Sequence, residues 1–303
     1  DRLGDAAVFH LHEGDVAFST DTFVVSPLEF PGGNIGSLAV HGTLNDLAMM
    51  GSTPRYLSTG FVIEEGLSFA VLDRVIAAMA DAARDAGVPL VTGDTKVVER
   101  GKADQLYINT TGIGTLDTPL RPAPDRAAAG DVVLVSGPIG RHGMAIMAAR
   151  EGLAFEAEIT SDAATLYPMV ARLGARLGRT VHVLRDPTRG GVASALNEIA
   201  AASKVGIELT EGTLPVPGAV GAACEMLGLD PLYVASEGVC LVILPAFHAE
   251  SALEVLREHP LGAEAVVIGR VVDEHPGLVT LRTALGGTRV VDLLPGDQLP
   301  RIC

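Results

Sequence analysis

The chain has 303 residues, 48% of them hydrophobic, but no tryptophan and only 4% aromatics, so its cores must pack from Ala, Val, Leu and Ile. Its 37 acidic and 22 basic residues give a net charge of −15, a field that repels nucleic acid and anionic lipid surfaces but leaves room for a phosphate ligand wherever a cation inverts the local sign. There is no apolar stretch of membrane-spanning length, no visible signal peptide and no close pair among Cys224, Cys240 and Cys303, which excludes a disulfide framework and points to a reducing cytoplasm.

The length suggests two domains. Val16 to Thr20 reads as a strand. Asn34 to Met50 reads as a helix with Leu38, Leu44, Leu47 and Ala48 on one side and Gly51 as its stop. Ser68 opens a second helix, in which Leu72, Val75, Ile76, Met79 and Ala83 recur at helical spacing until Gly87 and Pro89 end it. Val88 to Thr92 and Gln105 to Gly112 read as strands. The three prolines of Thr118-Pro119-Leu120-Arg121-Pro122-Ala123-Pro124-Asp125 mark the domain boundary.

Beyond it, strands are expected at Asp131 to Ser136, Val181 to Leu184, Ile207 to Thr210, Val239 to Leu244, Val266 to Val272, Leu278 to Leu281 and Thr288 to Val291. Helices are expected near Met144 to Arg150, Ala163 to Leu177, Gly191 to Ala202, Ala219 to Leu227 and His248 to Glu258. Both halves are therefore mixed α+β. The expected division is residues 1–118, 119–293 and a tail, 294–303, whose prolines and glycine oppose regular structure and whose last residue is Cys303. From Gly296 to Cys303 such a tail can reach roughly 25 Å. The chain starts at Asp1 without a methionine, so a further N-terminal segment is expected.

Four carboxylates stand at strand ends, in tight loops or in an apolar helix: Asp5, Asp21, Asp46 and Asp94. Such groups present hard oxygen ligands to Mg2+, although aspartate is also an ordinary turn residue. Asp46, among Leu44, Leu47 and Met49, needs a partner to offset its desolvation. Asp94 and Lys96, in Thr92-Gly93-Asp94-Thr95-Lys96, form an acid–base doublet, and metal plus phosphate is a natural ligand for the set. There is no Walker-type phosphate loop. Pro31-Gly32-Gly33-Asn34-Ile35-Gly36 precedes a helix whose exposed amides would attract phosphate, against the plainer reading of a loop. Asp186-Pro187-Thr188-Arg189-Gly190-Gly191 is a strand–turn–helix signal in which Arg189 binds phosphate or pairs with Asp186. Glu237, in Ala235-Ser236-Glu237-Gly238, reads equally as a buried general base and as a turn carboxylate. His41 and His142 lack metal-ligand spacing and read as structural histidines.

Taken together, Thr20-Asp21-Thr22-Phe23-Val24-Val25-Ser26-Pro27, His41-Gly42-Thr43-Leu44-Asn45-Asp46-Leu47-Ala48, Thr92-Gly93-Asp94-Thr95-Lys96-Val97-Val98 and the closing Pro300-Arg301-Ile302-Cys303 resemble the HypE family of nickel–iron hydrogenase maturation factors. The Asp186 and Glu237 segments resemble the wider superfamily of aminoimidazole ribonucleotide synthetase, selenophosphate synthetase and thiamine-phosphate kinase. The resemblance implies a two-domain, aminoimidazole-ribonucleotide-synthetase-like fold that forms a homodimer through the N-terminal sheet, with a mobile C-terminal tail. ATP would bind near the domain and subunit junction, covered in part by a glycine-rich segment that does not precede Asp1 here. The implied reaction is ATP-dependent dehydration of a carboxamide on Cys303 to a thiocyanate, after loading by the carbamoyltransferase HypF and before delivery of cyanide to iron on HypC–HypD.

In that reaction Asp21, Asp46 and Asp94, with Asp5, would hold Mg2+. Asn45, Thr95, Lys96, Asp186, Arg189 and Gly190 would line the nucleotide site, Lys96 would also neutralise a phosphate oxygen, and Glu237, ahead of His142, would take the amide proton. The terminal carboxylate is expected to raise the Cys303 thiol pKa, with Arg301 partly opposing it. Two competing readings are a small-molecule kinase or synthetase in which Cys303 is idle, and a dimeric scaffold or carrier whose tail docks on a metallochaperone.

Overall fold

A computed structural model describes residues 5–11, 14–153, 158–293 and 299–303. In the first half, β1 (Ala7–Leu11) and β2 (Gly14–Phe23) lead into a two-residue ribbon, β3 (Glu29–Phe30) and β4 (Gly33–Asn34). Then come α1 (Ile35–Met49), β5 (Thr53–Glu64), α2 (Phe69–Ala86), β6 (Leu90–Val98) and β7 (Leu106–Thr115). The five long strands form one sheet in the order β1-β2-β7-β5-β6, antiparallel except for the β5–β6 pair. α1 packs on β2 and β7 with α2 beside it, and being apolar almost all round it is buried along most of its length. That burial carries Asp46 inward.

Besides the two-residue ribbon, two strands of the main sheet escape the sequence pattern. β1 was not expected, and neither was β5, a central twelve-residue strand. Pro54 and Gly60 punctuate β5, its burial does not alternate, and its register slips between Pro54 and Tyr56. The run before α1 corrects another expectation. Asn34 accepts hydrogen bonds from the Gly36 and Ser37 amides in a reciprocal capping box, so those amides are not open to phosphate. Ser68 does precede α2, but its side chain makes no cap bond; Gly87, at φ 68°, ends that helix.

The second half contains β8 (Asp131–Val135), α3 (Arg141–Glu151), α4 (Tyr167–Leu177), β9 (Val183–Arg185), α5 (Gly191–Ser203), β10 (Gly206–Thr210) and α6 (Gly218–Leu227). It continues with β11 (Leu241–Pro245), α7 (Ala249–Arg257), β12 (Val266–Val272), β13 (Val279–Arg282) and β14 (Thr288–Val290). Its seven-stranded sheet runs β14-β13-β10-β12-β8-β11-β9. α4 starts at Tyr167 rather than Ala163, with Pro168 in its first turn. Residues 161–165 instead form an irregular strap whose polar groups bond to α1, α3 and the 235–238 turn.

One apolar core joins the halves: residues of α1 and α2 pack with Met144, Ala145 and Ile146 of α3, Val220 of α6, and Leu299 and Ile302 of the tail. The tail end therefore rests inside the molecule. Residues 294–298 lie outside the described residues. No described helix is long and apolar enough to cross a membrane.

Candidate functional site

The two halves meet over a pocket of about 580 Å3. Asp5, just ahead of β1, Asp21 on β2 and Asp46 on α1 enter from one side; Asp186 after β9 and Glu237 before β11 enter from the other. The Asp186 segment leaves the carboxyl end of β9 and the Glu237 segment leads into β11, both outside the strands, where the chain can expose polar groups without breaking a ladder. Gly190 and Gly191 adopt φ of 75° and 61°, left-handed values that let the chain reverse directly into α5 behind Asp186.

Asp5, Asp46 and Asp186 form a tight trio: one oxygen of each lies within 4.8 Å of the others. Burial pushes all three carboxyl groups up, Asp5 and Asp46 well above the usual carboxylate range and Asp186 to about 6. For Asp5 and Asp46 the Asp186 charge is the next contribution in the same direction. Arg185 offsets part of the charge through an ion pair with Asp5 at 2.6 Å and another with Glu198 at 2.8 Å. Ser19 donates to Asp46 at 2.6 Å. Asp21 is also raised, chiefly by burial. Hard oxygen donors held this close repel each other, and a divalent cation fits the set.

Glu237 is 2% exposed, and its Oε1 is buried without a hydrogen-bond partner among the described residues. Burial first, then the charges of Asp186, Asp162 and Asp21, raise its carboxyl well above the usual range. Its amide donates to Asp162 Oδ1 at 3.2 Å, and its carbonyl accepts from Asn45 Nδ2 at 3.0 Å. The same Asn45 nitrogen reaches Ala164 O at 3.0 Å, and Asn45 Oδ1 accepts from the Leu166 amide. Asn45 thus pins the turn that carries Glu237 to the strap rather than lining the pocket.

Cys303 completes the wall. Its sulfur lies 3.9 Å from Arg189 Nη2. The Val24 amide donates to Cys303 O at 3.2 Å and the Ser26 amide to Arg301 O at 3.1 Å, so the tail's main chain pairs with residues 24–26. The thiol is pushed up to about 12, as expected in direction but for a different reason. Burial leads, Glu237 follows, and the opposing cation is Arg189. Arg301 instead pairs with Asp104.

Asp5, Asp21, Asp46, Asp186, Arg189, Gly190, Glu237 and Cys303 are thus brought together. Asp94, Thr95 and Lys96 are not: they lie on β6 at the sheet edge, where Asp94 and Lys96 are 72% and 70% exposed and pair with each other at 2.8 Å. Within one chain Asp186, not Asp94, joins the ligand trio. His41 is half-buried and His142 buried, and desolvation lowers both to about 4; they bond Thr165 and Ser161 respectively, as structural histidines do. Cys224 and Cys240 are buried core residues, as expected. Sequence reasoning missed Arg185, Asp162 and Arg150. Only Arg185 carried a signal, a cation ending an apolar strand beside Asp186.

Residues 3–116 match the family model for the AIR synthase related protein N-terminal domain, and residues 128–281 that for its C-terminal domain. The chain is 54% identical over 303 residues to the carbamoyl dehydratase HypE of Azotobacter vinelandii, covering all of this chain and 89% of that one. It superposes on the crystal structure of hydrogenase maturation protein HypE in complex with ATP with a TM-score of 0.93 at 51% identity, covering 99% of this chain and 90% of the other. A crystal structure of a HypE–HypF complex matches with a TM-score of 0.91 at 47% identity, over 96% and 93% of the two chains.

Proposed function

The chain belongs to the HypE family within the AIR synthase related proteins, and from that premise we propose how this carbamoyl dehydratase uses ATP on its own C-terminus. The observation that carries the reading is the seat of Cys303, whose sulfur lies beside Arg189 in an acidic pocket next to a buried glutamate. A kinase with an idle terminal cysteine gives no reason for that seat.

A carboxamide on this sulfur, S–C(=O)–NH2, has a poor leaving group in its oxygen. Transfer of the γ-phosphoryl group of ATP to that oxygen forms an O–P bond. The C–O bond then breaks with phosphate leaving, two N–H protons go to base, and S–C≡N remains with ADP. Glu237 takes a proton from nitrogen; its buried setting raises its basicity well above that of an ordinary carboxylate. Arg189 and the turn into α5 supply a cation and amide N–H groups for phosphate oxygens. Asp5, Asp46 and Asp186 are the donor set that would hold Mg2+, with Asp21 beside them. The ion, when bound, neutralises phosphate charge and relieves the repulsion among these carboxylates.

We assign Asp94, Thr95 and Lys96 to the junction of a homodimer, because they lie along the exposed edge strand of the N-terminal sheet. A HypF carbamoyltransferase loads the thiol, and a HypC–HypD complex takes the cyano group to iron. The setting is the cytoplasm, where Cys303 stays reduced.

Intact mass tests the reading. After carbamoylation and then Mg·ATP, the loaded chain should become lighter by one water. Cys303→Ala should never load, and Glu237→Gln should load but dehydrate roughly 100-fold or more slowly. A loaded chain that keeps its carboxamide while ATP is consumed would sink the proposal, and normal dehydration by Glu237→Gln would remove Glu237 as the base.

A further inference from the structure

Helix α3 runs alongside the seated tail and meets its main chain at three successive carbonyls. Arg150, in the last turn of α3, donates from Nη1 to Pro300 O at 2.9 Å and from Nη2 to Arg301 O at 2.7 Å. Its Nε donates to Ser26 O at 2.9 Å, on the segment with which the tail pairs. Two turns earlier on the same helix, His142 Nε2 contacts Ile302 O at 2.6 Å. A carbonyl only accepts, so the proton sits on Nε2, and His142 Nδ1 accepts from the Ser161 hydroxyl at 2.8 Å. Gly143 lies between these two residues, and a Cβ there would stand 2.7 Å from Val234 Cγ1, 3.2 Å from Ala235 N and 3.3 Å from Leu299 Cδ1, so the helix surface is hollowed for the 234–235 segment and for the tail's Leu299 together.

None of these polar contacts reads a tail side chain. Pro300 and Arg301 point outward, and only Leu299 and Ile302 are buried. The contacts measure position along the main chain instead, and they end one residue short of the reacting sulfur. The Arg150 fork also bridges the tail to its pairing segment, since Ser26 gives its amide to Arg301 O and its carbonyl to Arg150. A lysine presents one compact ammonium and cannot span three carbonyls.

We propose that α3 reads the tail's main chain and that Arg150 is a positioning residue, setting how far Cys303 advances into the acidic pocket. This takes from the dehydratase reading only that Cys303 carries the reacting group. The grip of α3 would act on the main chain alone, beside the separate Arg301–Asp104 ion pair, and the joint would open as a unit when the thiol is offered to another protein.

The test is the rate at which a maleimide labels Cys303 in the full chain, without ATP or a carbamoyl donor, so that it can fail or succeed independently of the dehydratase reading. Cys224 and Cys240 are internal controls, because both are buried in the core. Arg150→Ala should raise Cys303 labelling roughly tenfold to hundredfold, in line with losing hydrogen bonds from a charged donor, while the controls stay unlabelled. Arg150→Lys should fall between that variant and the wild type. Hydrogen exchange at the Val24 and Ser26 amides should speed up in parallel, and on a loaded chain the single-turnover dehydration rate should drop in the same order. Wild-type labelling in both variants would overturn the proposal. If the controls become labelled in Arg150→Ala, Arg150→Lys decides: unchanged Val24 and Ser26 exchange in that variant overturns it.

Discussion

Gly238→Ala tests whether the turn carrying Glu237 is held by the strap beneath it. A Cβ at position 238 would lie 1.8 Å from Asp162 O and 2.8 Å from Asp162 C, both backbone atoms that cannot rotate away. Contacts of this kind are not found below 3.0 Å, so strap and turn must separate by about 1.2 Å. Three hydrogen bonds cross this joint or lean on it: Glu237 N to Asp162 Oδ1 at 3.2 Å, and Asn45 Nδ2 to Glu237 O and to Ala164 O, both at 3.0 Å. Lengthened by an ångström, the bonds that cross the joint fall outside hydrogen-bonding range. Overpacking costs about 1–3 kcal/mol and each lost bond about 1 kcal/mol, so a destabilisation of roughly 3–5 kcal/mol follows. At about 2 °C per kcal/mol for a chain of this size, the thermal midpoint should fall by roughly 6–10 °C. Misplacing Glu237 by an ångström should also slow single-turnover dehydration on the order of 100-fold. Calorimetry and intact-mass kinetics on the same preparation read both effects. A variant that melts within a degree of wild type would refute the packing argument, and one that melts early but dehydrates normally would refute the claim that the strap positions Glu237.

Two further outcomes follow from the electrostatics. His142 is held neutral, its pKa lowered to about 4 by burial, whereas in the unfolded chain it titrates near 6.5. The unfolded state therefore binds the extra proton between these values, and stability is lost as pH falls from 6.5 toward 4. Between pH 7 and 4.5 the wild type should lose about 2–3 kcal/mol more than His142→Gln in urea titrations, and equal losses would contradict the assignment. Asp46→Asn removes one charge from the trio while keeping an oxygen for the Ser19 hydroxyl. In metal-free buffer it should be more stable than wild type by on the order of 1 kcal/mol, yet gain nothing from added Mg2+ and lose ATP-dependent dehydration. A variant less stable than wild type in metal-free buffer would mean that the trio does not repel.

The sequence determined what depends on neighbours along the chain. Helical spacing gave α1, α2 and most helices of the second half, and glycine and proline gave their ends, because caps and periodicity are local properties. It also marked Asp46 as a carboxylate in an apolar helix, Asp186 and Arg189 in their turn, and Cys303 on its tail. It could not show which of these meet. Asp21 and Asp94 look alike in sequence, each at a strand end beside Thr. In the sheet, however, β7 and β5 stand between β2 and β6, a separation of roughly 14 Å at ordinary strand spacing, which puts Asp94 out of the trio within one chain. Asp186 enters instead because the seven-stranded sheet brings its turn against α1, 140 residues earlier in the chain. Residues 163–165 of the strap read as helix because they are few, alanine-rich and followed by helical spacing. The strap stays out of the helix because its polar groups find better partners in His41, Asn45, His142 and Glu237, all distant in sequence. The tail's composition predicts irregular chain, but only the packing of Leu299 and Ile302 and the carbonyl contacts of α3 decide that its thiol rests in the pocket, because burial and hydrogen bonding there depend on surfaces that exist only once both halves have folded.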